Sequence, residues 1–370
     1  MDIGANYMDL AIELAKRGLG WVNPNPMVGA VIVKDGAIIG QGYHEKYGGF
    51  HAERNALKDC RENPSGATMY VTLEPCCHYG KTPPCSQAII DAGISKVIIA
   101  TLDPNPLVAG KGVAQLREAG IQVEVGLLER EVKNLLKEFL YYIKNKEPYI
   151  ILKYAMTLDG KLASRTGDSK WITGPLAREA VHQSRHQYSG IMVGVNTVLA
   201  DNPSLTSRLE VPTQNPIRII CDSHLRTPMA SGIVQTAKKV KTILATCSQD
   251  GDKIRSYQAK GLEIVQVPEN HQGQVDLSIL IPTLGQMGIN SIYVEGGSQL
   301  HWSLIDGGWV NEIHTYIGNK IIGGRQALSP VGGQGFATMD QSITTRILSI
   351  EEFEEDILIK SEVIACSQES

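Results

Sequence analysis

Apolar residues recur along this chain at two periods, one close to 3.6 and one of 2, and the alternation of the two predicts helices and strands in turn. Residues 7–17 have helical spacing. MVGAVIVKDG and AIIGQGYH read as two strands, and Asp35-Gly36 between them is a hairpin turn. HAERNALKDC puts Ala52, Ala56 and Leu57 on one stripe, which predicts a helix with His51 and Glu53 in its first turn. ATMYVTLEP alternates as a strand and runs to Cys76. A helix near 85–92, the strand KVIIAT, the helix VAQLREAG and the strand IQVEV follow. A longer helix over 127–144 carries Leu128, Val132, Leu135, Leu136, Phe139 and Tyr142 on its apolar side. Residues 145–148 read as a linker, which places the domain boundary between 146 and 147 and gives domains of 1–146 and 147–370.

The second part opens with a strand at 149–156. A helix near 175–186, the strand GIMVGVNTV, and strands at PIRIICD, KTILAT, LEIVQV and SIYVEGG come next, with a helix near 277–287 before the last of them. QLHWSLIDGG closes this run as a helix. Strands alternating with helices in both parts predict two layered α/β domains. No internal repeat or low-complexity tract interrupts them, and the polar tail from Ser367 to Ser370 reads as frayed.

A formal net charge of −4 gives no electrostatic reason to bind nucleic acid or an anionic membrane, so the expected ligands are small molecules. No apolar run approaches the twenty or so residues a membrane span needs. The first residues form an amphipathic helix with acidic positions, unlike a signal peptide. Seven cysteines, an odd number without secretory spacing, fit thiols kept for metal in the cytoplasm.

The strongest chemical signal is His51-Ala52-Glu53, then Pro75-Cys76, then Cys85. One imidazole and two thiolates leave a tetrahedral zinc one open position for water. Zinc lowers the pKa of that water to about 7, and Glu53, which binds no metal, shuttles protons. Nucleobase deaminases share this pattern, but their second cysteine usually follows the first by three positions, not nine. Cys77 competes with Cys76 for the ligand role. Cys76 is preferred because it follows Pro75 directly, and Cys77 would point the other way in an extended segment. His78 is a fourth-ligand alternative, although Lys81 and Thr82 in the same loop suggest that it faces substrate.

In the second part, VEGGSQLHWSL sets two glycines where a strand meets a helix, a junction able to hold phosphate. Lys153, Asp159, Lys161, Asp168, Ser169 and Lys170 add polar groups around Trp171, and Arg185, Asp201 and Arg208 follow. Arginine suits a phosphate ester because its planar fork bonds two oxygens. Asp201 directly follows the apolar strand that GIMVGVNTV predicts.

These segments resemble the bifunctional riboflavin-biosynthesis deaminase–reductases over nearly the whole chain. NPNPMVGAVIV, HAERNAL, VTLEPCCHYGKTPPC and DPNPLVAGKG carry the likeness in the first part. LKYAMTLDGKLA, TGDSKWITG, GVNTVLADNPSLTSR and YVEGGSQLH carry it in the second. The nine-residue cysteine spacing is usual in that family, whereas Cys77 stands where a smaller or hydroxyl residue is more common. The resemblance implies a cytidine-deaminase-like three-layer α/β/α domain followed by a dihydrofolate-reductase-like α/β domain. It implies that His51, Cys76 and Cys85 bind zinc, that Glu53 is the acid–base group, and that Asn25, His44, His78, Lys81 and Asn105 contact the base or phosphate of a pyrimidine ribosyl phosphate. It implies that NADPH meets Ala155, Trp171, Thr197, Asp201, Ser223, Gly297 and Ser298. Substrate in that domain would meet Lys153, Ser169, Arg185, Leu205, Arg208 and Glu295. Lys153 and Asp201 both suit the ring-oxygen proton, and the choice between them stays open. A homo-oligomer is expected.

Two other readings compete. In one, only the deaminase works and the second half is a scaffold, which the intact GDSKWITG, LADNPSLTSR and VEGGS segments disfavour. In the other, the chain edits nucleic acid, which its acidic balance and lack of a basic stripe disfavour.

Overall fold

Among the described residues, each part of the chain builds one sheet. The computed structural model describes residues 3–78 and 83–364, and it separates into two compact units, Met1–Lys146 and Glu147–Ser370.

The first unit contains α1 (Ile3–Lys16), β1 (Gly29–Lys34), β2 (Ala37–Tyr43), α2 (Ala52–Asp59), β3 (Thr68–Leu73), α3 (Cys85–Asp91), β4 (Lys96–Thr101), α4 (Lys111–Glu118), β5 (Gln122–Val125), α5 (Glu129–Leu135) and α6 (Lys137–Asn145). Its strands run in the order β2-β1-β3-β4-β5. β1 is antiparallel to β2 and β3, and β3, β4 and β5 are parallel. Position 29 faces the α1 backbone, while Gly42, paired with Ala30, faces α2. The sheet therefore lies between helical layers. Ala30, Ile32, Met69, Val71, Val97 and Ile99 are all fully buried in its core.

Gly42 permits the contact with α2. A Cβ there would lie 2.3 Å from Ala56 N and 2.7 Å from Ala52 O, closer than carbon can approach. The absence of that atom seats α2, with His51 and Glu53 at its start, directly on β2.

The second unit contains β6 (Tyr149–Thr157), α7 (Pro175–Gln187), β7 (Gly190–Gly194), α8 (Val195–Asp201), β8 (Ile217–Cys221), α9 (Gly232–Gln235), β9 (Thr242–Thr246), α10 (Gly251–Ala259), β10 (Glu263–Gln266), α11 (Leu277–Gln286), β11 (Ser291–Val294), α12 (Ser298–Asp306), β12 (Glu312–Gly318), β13 (Thr344–Phe353) and β14 (Asp356–Ile364). Its strand order among the described residues is β10-β9-β8-β7-β11-β6-β12-β14-β13. The run from β10 to β12 is parallel, and the antiparallel hairpin β13/β14 extends the sheet beyond β12. The chain moves outward from β6 to β10, then returns to insert β11 between β7 and β6. Such reversals open a crevice at the carboxyl ends of the strands, where ligands of open α/β sheets bind.

Several sequence expectations need correction. His51 is the N-cap of α2, not part of its first turn, because its backbone is extended (φ −72°, ψ 163°). β3 ends at Leu73, and Glu74 to Cys77 are irregular, as a proline at 75 without an N–H favours. The single helix expected over 127–144 is two helices. Leu136 leaves helical geometry (φ −103°, ψ 12°), which lets Val132, Leu136 and Phe139 all reach the core. GIMVGVNTV is not one strand: Gly194 turns extended, and Val195–Asp201 is helical despite its two valines. Asp201 thus ends a helix. α9, α10, β12, β13 and β14 were not anticipated. β12 hides polar side chains, and β13 exposes apolar ones, so neither shows the expected alternation.

Candidate functional site

Three elements converge in the first unit. The start of α2 supplies His51, the segment after β3 supplies Cys76, and the first residue of α3 supplies Cys85. His51 Nδ1 lies 3.5 Å from Cys76 Sγ and 3.4 Å from Cys85 Sγ. All three ligand atoms fall within 4.8 Å of one another. Bonds of about 2.1 Å to nitrogen and 2.3 Å to sulphur at a tetrahedral angle would set N and S about 3.6 Å apart, so the cage fits zinc. The Cys85 amide also donates to Cys76 Sγ at 3.3 Å, as suits a thiolate.

The protonation pattern agrees. Hydrogen bonding to Cys85, and then to His51, holds the Cys76 thiol at about 4 against the opposing effect of burial. Its hydrogen bond to Cys76, together with burial, pushes Cys85 well up. A divalent cation bound by both sulphurs would displace the proton that Cys85 keeps. Glu53 is 3% exposed and lies outside the cluster of ligand atoms. Burial, then the charge on Cys76, raises its carboxyl to about 7, where it can both accept and release a proton near neutrality. Cys77 faces elsewhere, with Sγ 3.7 Å from Leu107 O.

His44 lies edge-on to His51, with ring centroids 5.4 Å apart. Its Nδ1 faces Phe50 O at 2.9 Å and its Nε2 faces Asn25 Nδ2 at 3.1 Å. A carbonyl requires a donor, so Nδ1 carries the proton and Nε2 accepts from Asn25. Burial lowers the pKa of His44 and keeps it neutral. His78 is half-buried, and its Nδ1 has no hydrogen-bond partner among the described residues. Asn105 sits on the loop after β4, its Oδ1 accepting from Leu107 N at 3.1 Å. Lys81 lies outside the described residues.

In the second unit, Lys153 on β6, Arg185 on α7 and Glu295 just after β11 form a half-buried charged group. Arg185 Nε and Nη2 donate to the two Glu295 oxygens, both at 2.7 Å. Burial opposes ionisation of Glu295, but Arg185 outweighs it and holds the carboxyl at about 2. Burial lowers the pKa of Lys153, whose Nζ lies 5.7 Å from the Tyr316 ring centroid. Arg185 Nη1 also donates to Thr206 O at 3.2 Å, and Arg208 Nη1 donates to Thr206 Oγ1 at 3.2 Å. His182 Nδ1 lies 3.3 Å from Arg208 N. Two guanidiniums and an imidazole on one rim suit a phosphate ester.

The carboxyl ends of β7 and β11 meet beside this group. Gly194 N donates to Gly296 O at 2.9 Å, and Thr197 Oγ1 lies against Gly297. Ser298 begins α12, and its carbonyl accepts from Gly332 N. Ala155 lies on β6 two residues beyond Lys153. Trp171 is 60% exposed, and the Arg178 guanidinium stacks 4.4 Å from its ring centroid. Ser223, past the end of β8, accepts from Val275 N at 3.0 Å. Ser169 is half-buried in the 158–173 connection, with no hydrogen bond among the described residues.

Four observations differ from the sequence reading or add to it. Asp201 is exposed at the end of α8, so the placement after a strand that singled it out does not hold. The Leu205 side chain is buried with Ile191, Val193 and Ile220, which leaves only its backbone to meet a ligand. Asp159 anchors a loop, accepting from Thr157 Oγ1, Ile322 N and Gly323 N. His182 and Tyr316 were missed, and His301 entered only as the end of the YVEGGSQLH segment. His301 is 1% exposed, its Nδ1 faces Pro330 O at 2.8 Å, and Nε2 has no hydrogen-bond partner among the described residues. Only His301 had a signal, its place in the VEGGSQLH segment.

This arrangement defines a class: a zinc-binding deaminase domain followed by a reductase domain. Residues 1–101 match the family model of the cytidine and deoxycytidylate deaminase zinc-binding region, and residues 148–359 match that of the RibD C-terminal domain. The chain belongs to the RibD family of riboflavin biosynthesis proteins. It is 54% identical to the riboflavin biosynthesis protein RibD of Actinobacillus pleuropneumoniae, over 97% of this chain and 95% of that one. To its counterpart in Aquifex aeolicus it is 43% identical, over 97% and 98%. Two solved structures are similar over 98% of this chain and 99% of theirs. The Thermotoga maritima diaminohydroxyphosphoribosylaminopyrimidine deaminase/5-amino-6-(5-phosphoribosylamino)uracil reductase shares 39% identity at a TM-score of 0.86. One form of Acinetobacter baumannii RibD shares 36% at 0.90. The chain is therefore a bifunctional enzyme of riboflavin biosynthesis, deaminase and reductase, with zinc and NADPH as cofactors. No helix among the described residues is long and apolar enough to cross a membrane.

Proposed function

We propose that Met1–Lys146 deaminates 2,5-diamino-6-ribosylamino-4(3H)-pyrimidinone 5′-phosphate and that Glu147–Ser370 then reduces its ribosyl group to ribityl. Zinc held by His51, Cys76 and Cys85 supplies a Lewis acid that makes water nucleophilic near neutrality. Glu53 takes a proton from the attacking water and delivers it to the ring nitrogen, then takes the remaining hydroxyl proton of the adduct and delivers it to the amine, which departs as ammonia. Neutral His44, oriented by Asn25 and Phe50 O, packs against the His51 ring and faces the base. His78, Lys81 and Asn105 contact the base or phosphate.

In the second domain, NADPH supplies hydride when bound along Ala155, Trp171, Thr197, Asp201, Ser223, Gly297 and Ser298. Arg185, Arg208, Ser169 and the Leu205 backbone seat the substrate. Glu295 fixes Arg185 and faces the ribosyl end. Lys153 is the better candidate for the ring-oxygen proton, because burial lowers its pKa and eases proton release, whereas Asp201 is exposed. Exposed Ile347, Leu348 and Ile350 on the edge strand β13 favour a homo-oligomer. Free cysteines at 60, 76, 77, 85, 221 and 247 favour a reducing cytoplasm.

The observation that carries the reading is the three-atom cage with a buried carboxylate beside it but outside it. Glu53→Gln should retain zinc and lose ammonia release by roughly 100-fold or more, because the acid–base group goes and the ligands stay. The same protein should still oxidise NADPH when given the deaminated intermediate, while Glu295→Gln should show the converse pattern. Wild-type ammonia release from Glu53→Gln, or loss of both activities in either folded variant, would overturn the assignment.

A further inference from the structure

Glu74 is 3% exposed, yet among the described residues it joins neither the three-ligand cage nor an ion pair. Its carboxylate instead collects backbone amides from both ends of one loop. Oε2 accepts from Asp103 N at 3.3 Å and from Gly110 N at 3.0 Å, and Oε1 accepts from Val113 N at 3.1 Å. Asp103 stands near the start of the loop that follows β4, and Gly110 and Val113 belong to the start of α4. A single buried side chain therefore closes the mouth of the 102–113 connection.

The closure is tight and local. Glu74 N itself donates to Thr101 O at 3.0 Å, which ties the segment to the end of β4. A Cβ on Gly112 would lie 2.2 Å from Pro75 O and 3.1 Å from Glu74 Oε1, so α4 can approach this segment only with glycine there. Three residues on, Cys77 Sγ reaches the middle of the same loop at Leu107 O, 3.7 Å away. Between Glu74 and Cys77 stands Cys76, which belongs to the cage. Inside the loop, Asp103 Oδ1 accepts from Asn105 N at 2.8 Å, and Asn105 O accepts from Val108 N and Ala109 N at 2.8 and 2.9 Å. Fixing Asp103 therefore fixes Asn105.

We infer that Glu74 is a positioning residue for the deaminase reaction: it holds the 102–113 loop, and with it Asn105, at a set distance from the metal cage. Cys77 is a second, weaker tie. The inference rests on the reading of the first domain as a zinc deaminase and on Asn105 as a substrate contact. A buried carboxylate accepting three amides also satisfies donors that would otherwise be orphaned, which is why the loop can be ordered without secondary structure of its own.

The test uses the full chain. Glu74→Gln keeps the shape but turns an amide NH2 toward amide donors, while Glu74→Asp keeps the charge on a shorter stem. Expected for Glu74→Gln are a KM for the pyrimidine substrate raised on the order of tenfold, with kcat changed less, wild-type zinc content and unchanged NADPH oxidation on the deaminated intermediate. Hydrogen exchange should accelerate in the peptide covering 102–113 and nowhere else in the first domain, and Glu74→Asp should recover part of the KM. Unchanged KM and unchanged exchange would overturn the inference. So would a loss of zinc in both variants, which would make Glu74 part of the cage's own support. Glu53→Gln separates the underlying reading: if it fails to abolish ammonia release, the deaminase assignment falls, and if it succeeds while Glu74→Gln behaves as wild type, only the positioning role falls.

Discussion

His301 illustrates how a single buried side chain links structure to solution behaviour. Burial holds its pKa at about 4, below the 6.5 of a free imidazole, against the opposing effect of the Pro330 carbonyl that Nδ1 faces and with help from the positive charge of Lys153. The unfolded imidazole takes up a proton near pH 6.5, whereas the folded one resists until pH 4. Its contribution to stability is therefore complete above pH 6.5, declines as pH falls, and is gone below the folded value. A shift of this size corresponds to about 3 kcal/mol. Unfolding monitored by calorimetry should show the reductase domain weakening between pH 6.5 and 4, and His301→Gln should flatten that slope. Parallel slopes in the two proteins would contradict the account. Sequence could name His51, Glu53, Cys76 and Cys85 because metal chemistry restricts the residue types. It offered no comparable handle on His182 or Tyr316, whose surroundings come from remote strands and loops.

At the scale of elements, the contact between β2 and α2 decides where the acid–base group stands. Gly42→Ala would drive a methyl into the α2 backbone at Ala52 and Ala56. Overpacking of this kind costs about 3 kcal/mol. The expected result is a lower melting point for the deaminase domain, weaker zinc retention and a normal reductase domain. Wild-type zinc retention in Gly42→Ala would show that α2 can shift without disturbing the cage. The hairpin at Asp35-Gly36 was legible because turn chemistry is local. α8 was not, since a run with Val195 and Val198 imitates a strand. What ends β7 is a remote bond, from Gly194 N to Gly296 O beyond β11, and Gly194 then serves as the N-cap of α8. β12 was missed for a related reason. Glu312 and His314 are 1% and 2% exposed, bonded to each other at 3.0 Å, so its polar letters describe a buried strand.

The whole molecule carries two chemistries whose requirements differ, and that difference can be measured. Prolonged chelation should remove the cation from His51, Cys76 and Cys85 and lower ammonia release on the order of 100-fold. NADPH oxidation with deaminated intermediate should persist, because Lys153, Arg185 and Glu295 form no metal cluster among the described residues. Readdition of zinc should restore the first activity alone. Equal loss of both rates under chelation would mean that the domains depend on one another.

The amino-acid sequence by itself determined the α/β class, most of the parallel strands, and the residue types of the metal cage. Each of these follows from local periodicity or from ligand chemistry that spacing alone can reveal. The tertiary structure decided the rest. It brought Cys76 and Cys85 to His51 across a nine-residue gap, separated Cys77 from them, paired Arg185 with Glu295 across 110 positions and left Asp201 exposed at a helix end. Those outcomes depend on which strands lie side by side, and adjacency in a sheet is fixed by packing between segments that no local pattern connects.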